Sequence, residues 1–182
     1  MKSLFTLFTL CFCIGAVPLS GQEVEILEII NDNTFEKVIH YWNANGKGFT
    51  LAKVPGGRSG SCMRVAHNGT RRAALYSRTL IGVNRQQDTF KMSLWVKGKG
   101  TFRLGAYLYK ANKRNVSVWM SKPVTVDSPS AWIRKDFTIK AAVFHKLTAY
   151  MRIAMEMPQG KDCDLYFDDF SGVKESVLKP VE

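Results

Sequence analysis

Between residues 90 and 156 apolar side chains return at every second position, in runs broken by glycine, proline, asparagine and aspartate. That spacing specifies strands with one buried and one solvated face, and it is incompatible with amphipathic helices. Phe90, Met92, Leu94 and Val96 alternate with Lys91, Ser93, Trp95 and Lys97; Phe102, Leu104, Ala106 and Leu108 alternate with Arg103, Gly105, Tyr107 and Tyr109. Ile133, Phe137 and Ile139 interleave with Arg134, Asp136 and Thr138. Leu147, Ala149, Met151, Ile153 and Met155 share one parity, with Thr148, Tyr150, Arg152 and Glu156 on the other. Turns are expected at Gly98-Lys99-Gly100, Ala111-Asn112-Lys113, Ser128-Pro129-Ser130 and Pro158-Gln159-Gly160. Several such runs at close spacing predict an all-β domain, a two-sheet antiparallel β-sandwich. The only helical candidate is the short stretch 23–30.

The 182 residues suit one domain. A basic start, Met1-Lys2-Ser3, precedes an apolar run from Leu4 to Val17 and small residues at Ala16, Ser20 and Gly21. This is the layout of a cleavable export signal, and the run is shorter than the roughly 20 apolar residues of a membrane span. The expected organisation is a signal peptide at 1–21, a β-sandwich at 22–176 and a tail at 177–182. The product would be secreted, periplasmic or on the cell surface, without stable membrane insertion. The chain carries 26 Lys and Arg against 15 Asp and Glu, a net charge of +11. Loss of Lys2 with the signal leaves +10. Cys11 and Cys13 would leave with it, and Cys62 and Cys163 remain. In an oxidising compartment such a pair is expected to form a disulfide; the other reading is two separate buried thiols.

Catalysis is not expected. His40, His67 and His145 show no metal-protease spacing, and no Gly-x-Ser-x-Gly elbow is present. Gly56-Gly57-Arg58-Ser59-Gly60-Ser61 lacks the Gly-Lys-Ser/Thr ending of a phosphate loop and reads as a turn leading into a strand. Asp168 and Asp169 are adjacent, so in a strand they point to opposite faces. They cannot flank a glycosidic bond as a carboxyl pair about 5–9.5 Å apart.

The order of motifs carries a resemblance. Asn31-Asp32-Asn33-Thr34-Phe35-Glu36 is followed by Trp42, then Gly57-Arg58-Ser59-Gly60-Ser61 leading into Met63-Arg64-Val65. Phe90 to Gly98 and Trp132 to Thr138 come next, and Leu165-Tyr166-Phe167-Asp168-Asp169-Phe170 closes the domain. This resembles the jelly-roll carbohydrate-binding modules of families four, nine and twenty-two, within the galactose-binding-like superfamily. The resemblance implies a non-catalytic sugar-binding domain with Trp42 and Trp132 in structural positions. It also implies a structural calcium ion held by Glu36 and Asp168 with backbone carbonyls; hard oxygen donors suit that ion.

Placed side by side, the solvated positions of the runs form a face of Lys91, Trp95, Lys97, Arg103, Tyr107, Tyr109, Tyr150, Arg152 and Glu156. Flat rings can stack on the C–H faces of sugar rings, and guanidinium forks donate paired hydrogen bonds to sugar oxygens. The binding candidates are Trp95, Arg103, Tyr107, Tyr109, Tyr150 and Arg152, while Trp119 is expected to be exposed. The positive charge favours acidic ligands, so the expected partner is a polysaccharide or cell-surface glycan, with nucleic acid not expected. The alternative is a secreted protein–protein interaction or envelope-structural domain on the same scaffold.

Overall fold

In the computed structural model, residues 23–30, 35, 41–46 and 48–178 are described. They form eleven strands: β1 (Val24–Glu28), β2 (Trp42–Asn45), β3 (Phe49–Gly57), β4 (Gly60–Asn68), β5 (Ala73–Ser77), β6 (Ile81–Gly82), β7 (Asp88–Tyr109), β8 (Asn115–Met120), β9 (Val124–Lys140), β10 (Tyr150–Met157) and β11 (Asp162–Val177). One short 3-10 turn covers Ala141–Val143. Every pairing is antiparallel, as the alternation requires. The first sheet runs β3-β4-β11-β7-β9, with β1 on β11 beyond the end of β4. The second runs β2-β5-β10-β7-β8, with β6 beside β5 on β10.

Strand β7 belongs to both sheets. Its residues 88–99 pair with β11 and its residues 103–109 with β10. The expected turn at Gly98-Lys99-Gly100 is therefore a bend within one continuous strand. Gly98 and Gly100 take φ of 111° and 149°. A Cβ on Gly98 would lie 2.1 Å from the Asp164 carbonyl oxygen, and one on Gly100 would lie 2.2 Å from the Cys163 Cβ. Glycine is the residue that allows both the dihedral and the close approach.

Ser128-Pro129-Ser130 likewise lies inside β9 rather than at a turn. Pairing with β7 passes from Val96↔Ile133 to Gly98↔Ser128, so residues 129–132 bulge out of the ladder. A bulge accommodates proline, which has no N–H to give. The 23–30 stretch is strand β1, not helix, because residues 24–28 complete the ladder on β11. Ala111–Lys113 and Pro158–Gly160 do turn the chain.

Even-numbered residues of β7 stay inward across the bend. Phe90, Met92, Leu94, Val96, Phe102, Leu104, Ala106 and Leu108 are all buried between the sheets. Facing them are Leu165 and Phe167 of β11 and Met151, Ile153 and Met155 of β10. Leu147 precedes β10 and is exposed, so the apolar parity of that run starts later than the sequence suggests. Trp42 is buried and stacks on Phe170 at 5.4 Å between ring centroids. Trp132, expected in the core, sits half-buried on the β9 bulge. Trp119, expected outside, packs against Phe144 at 6.3 Å.

The expected disulfide is absent: Cys62 and Cys163 are both buried and are not bonded to each other. Cys163 lies opposite His67 of β4 and shares its inward face. Cys62 lies five positions back along β4, on the outward face and roughly 17 Å away at strand rise. A disulfide needs Cα atoms within about 7 Å. Burial first, then the neighbouring Asp164 charge, pushes the Cys163 thiol up to about 11, so it stays protonated at neutral pH.

Candidate functional site

Because β7 crosses from one sheet to the other, the single solvated face read from the sequence is two faces pointing in opposite directions. Lys91, Trp95 and Lys97 lie on the outside of the first sheet. Arg103, Tyr107, Tyr109, Tyr150, Arg152 and Glu156 lie on the outside of the second. Equal parity along one strand does not mean one surface when the strand changes sheets.

The outside of the first sheet satisfies itself. Arg64 holds Asp164 through two parallel hydrogen bonds of 2.8 Å. Lys91 holds Glu175 at 2.7 Å, Arg134 holds Asp136 at 3.0 Å, and Arg58 holds Asp169. The Arg58 guanidinium lies 3.8 Å from the centroid of the Trp95 ring. Lys97 sits 4.6 Å from Trp132 and donates to the Gly56 carbonyl at 3.0 Å. Solvated pairs of this kind each contribute about 0–1 kcal/mol, but they leave four of the face's cations already engaged with carboxylates. Trp95 is thus roofed by a cation and separated from the other binding candidates by the thickness of the sandwich.

Asp168, the expected calcium ligand, is fully buried at the β11 bulge opposite Trp95. Its Oδ2 accepts the Arg58 backbone N–H at 2.6 Å, and its Oδ1 accepts that of Asp169 at 2.9 Å. Glu36 lies outside the described residues. Among the described residues no three His, Cys, Asp or Glu side chains converge as a metal site.

The outside of the second sheet is different. Register aligns Tyr150 with Tyr109, Arg152 with Tyr107, Ala154 with Gly105 and Glu156 with Arg103. On the other side of β10, Ala154 lies beside Tyr76 and Glu156 beside Ala74, and β2 adds Asn43 next to Tyr76. The small residues Ala74, Ala154 and Gly105 form a low, buried floor between taller side chains. Tyr76 and Tyr107 meet edge to face at 5.7 Å. Burial raises the Tyr107 and Tyr109 hydroxyls above the ordinary tyrosine range, the latter despite the opposing pull of Arg152, so both remain protonated donors. From Arg103 to Tyr109 this strip extends about 20 Å.

Charge on this face is lopsided. Glu156 is buried and takes Arg72 at 3.5 Å and Arg103 at 3.9 Å. Arg78 donates its Nε to Asn43 at 3.1 Å. Arg152 sits between Tyr76 and Tyr109, 5.8 and 5.7 Å from their centroids, and its Nε has no hydrogen-bond partner. Of these four guanidinium groups, only Arg72 and Arg103 reach the one carboxylate.

A cavity of about 700 Å³ lies elsewhere, around Ala66, Gly100 and Cys163 with Lys99, Asp127, Lys161 and Asp162 among its other lining residues. Among the described residues His67 is the one ring in its lining, so it offers little for stacking. Tyr76, Arg72, Arg78 and Asn43 were missing from the sequence-derived set. Leu75 and Ser77 are buried and turn Tyr76 outward, but a serine at a core position hides that alternation in the sequence.

The fold is the jelly-roll sandwich of carbohydrate-binding modules. A family 11 module from a cellulosomal cellulase of Clostridium thermocellum superposes with a TM-score of 0.58 and 17% identity, over 87% of this chain and 97% of that one. The family 22 xylan-binding domain from Paenibacillus barcinonensis gives 0.59 and 11%, over 89% and 100%. A family 22 module joined to its xylanase in Clostridium thermocellum endo-1,4-beta-D-xylanase 10B, complexed with xylohexaose, gives 0.60 and 21%. That match covers 80% of this chain but only 28% of the xylanase chain. No protein-family profile and no curated protein sequence matches the chain.

Proposed function

We propose that this is an exported, non-catalytic polysaccharide-binding domain that holds its ligand on the outside of the second sheet, with preference for acidic chains. The observation that carries the reading is the strip of Tyr76, Tyr107, Tyr109 and Tyr150 interleaved with Arg103 and Arg152 above a floor of small residues. Half-buried rings at fixed spacing lose little side-chain freedom when a sugar stacks on them. The guanidinium forks and the protonated hydroxyls supply directional donors to sugar oxygens. A net charge of +11 adds a long-range attraction that falls with salt. Solved neighbours include a xylan-binding domain and a family 11 module in complex with a beta-1,3-1,4-mixed-linked tetrasaccharide, which supports this use of the scaffold.

Tyr107→Ala is expected to weaken glycan binding at least tenfold, about 1.4 kcal/mol, while leaving the melting temperature within a few degrees. A glycan array followed by calorimetry on the best polysaccharide measures it. Unchanged affinity in the folded variant would move the ligand off this face. An array with no binder at all would favour the interaction-domain alternative. The export part of the proposal rests on residues 1–21, which lie outside the described residues. Intact-mass analysis of the secreted protein should show a mature N-terminus close to residue 22, and a retained Met1 would refute it.

A further inference from the structure

We infer that the tyrosine face is built for a polysaccharide bearing uronic acids, with the Arg152 guanidinium as the seat for the sugar carboxylate. This rests on the glycan-binding reading above and narrows its ligand to one chemical class.

The two outer faces of the sandwich differ in how their cations are paired. On the first sheet each of Arg58, Arg64, Lys91 and Arg134 already has a carboxylate. A cationic ligand-reading group there would have to give up its partner. On the second sheet Arg72 and Arg103 share the buried Glu156, and Arg152 has no carboxylate partner among the described residues. Its position is nonetheless fixed, by the rings of Tyr76 and Tyr109 on either side and by Tyr107 across the ladder. A guanidinium held between rings keeps its orientation without a counter-ion. It can then present its planar fork to a planar carboxylate at little entropic cost.

The surrounding residues agree with that assignment. The Tyr107 and Tyr109 hydroxyls are neutral donors and do not repel an anion. Among the described residues the one acid on the face is Glu156, which is two strand positions beyond Ala154 and is occupied by two arginines. A neutral glycan could use the rings, but it would leave the face with uncompensated positive charge.

The test uses calorimetry with the mature protein at 0.15 M salt. Polygalacturonate, alginate and glucuronoxylan are each compared with their carboxyl-reduced forms. At least one uronate polymer is expected to bind tenfold tighter than its reduced form. Arg152→Gln should abolish that preference, weakening the uronate polymer at least tenfold and the reduced form by clearly less, since the same fork also donates to neutral sugar oxygens. Arg152→Lys keeps the charge without the fork and should lose most of the preference too. Arg134→Gln, on the opposite sheet, removes one charge from the chain and should leave the preference intact. Melting curves confirm that each variant is folded; should Arg152→Gln fail to fold, Arg152→Lys carries the test. Equal binding of acidic and reduced polymers by the unmodified protein, or a preference that survives loss of the fork, overturns the inference. In either case Tyr107→Ala still decides the glycan-binding reading. A preference lost equally in Arg134→Gln assigns it to bulk charge and also overturns the inference.

Discussion

Gly98→Ala is expected to lower the unfolding free energy by more than about 3 kcal/mol, a large share of the 5–15 kcal/mol typical of a domain. Two costs combine at this position. The backbone is held at φ 111°, a region an L-residue occupies only with strain of about 1–3 kcal/mol. The added methyl would also lie 2.1 Å from the Asp164 carbonyl oxygen, a backbone atom of a central strand. Moving that atom means moving the β11 ladder. Two further substitutions separate the costs. Gly56 has φ 87° but no atom within 4 Å of its would-be Cβ, so Gly56→Ala measures dihedral strain alone. Gly82 has open space and no positive φ, so Gly82→Ala should be close to neutral. Urea unfolding should rank them Gly98 well above Gly56, and Gly56 above Gly82. Near-equal midpoints for the Gly98 and Gly82 variants would mean that β7 does not bend there.

That bend decides how the binding face is composed. Period two in β7 and β10 correctly predicts which side chains are buried, because side-chain alternation is a local property of extended backbone. It cannot report which sheet a strand segment joins, because pairing partners are set by tertiary contacts. Trp95 and Tyr107 have the same parity on the same strand, yet only Tyr107 joins the tyrosine face. The glycine pair 98 and 100 marked the right place but suggested the wrong geometry, a turn instead of a change of sheet. Arg103, Tyr107, Tyr109, Tyr150 and Arg152 come together because their two strands pair directly. Tyr76 belongs with them only through β10↔β5 pairing, which joins residues 76 and 154 across about half of the domain's sequence. The cysteines make the same point: their spacing in sequence carried no information about opposite faces of the first sheet.

Phe102→Ala should cost about 3–5 kcal/mol, the range for removing a fully buried aromatic side chain. Phe102 is completely buried just after the bend, where β7 leaves the first sheet for the second. Its ring meets Phe167 edge to face at 5.2 Å and Phe137 at 6.4 Å. These contacts tie β11 and β9 to the start of the second-sheet segment of β7. Neighbouring backbones are fixed by ladder hydrogen bonds on both sides, so the cavity cannot collapse cheaply, and the cost should fall toward the upper end. Phe102→Leu fills most of the space and should cost clearly less. A Phe102→Ala, Phe167→Ala double-mutant cycle should show a coupling of about 0.5–1.5 kcal/mol, as expected for an edge-to-face pair. The next residue, Arg103, points outward to Glu156, so loosening this corner also loosens one wall of the tyrosine face. Calorimetric binding by the fraction that remains folded should therefore weaken in Phe102→Ala, although that side chain touches no ligand. A loss of stability below about 1 kcal/mol would show that the two sheets are not packed on each other at this corner.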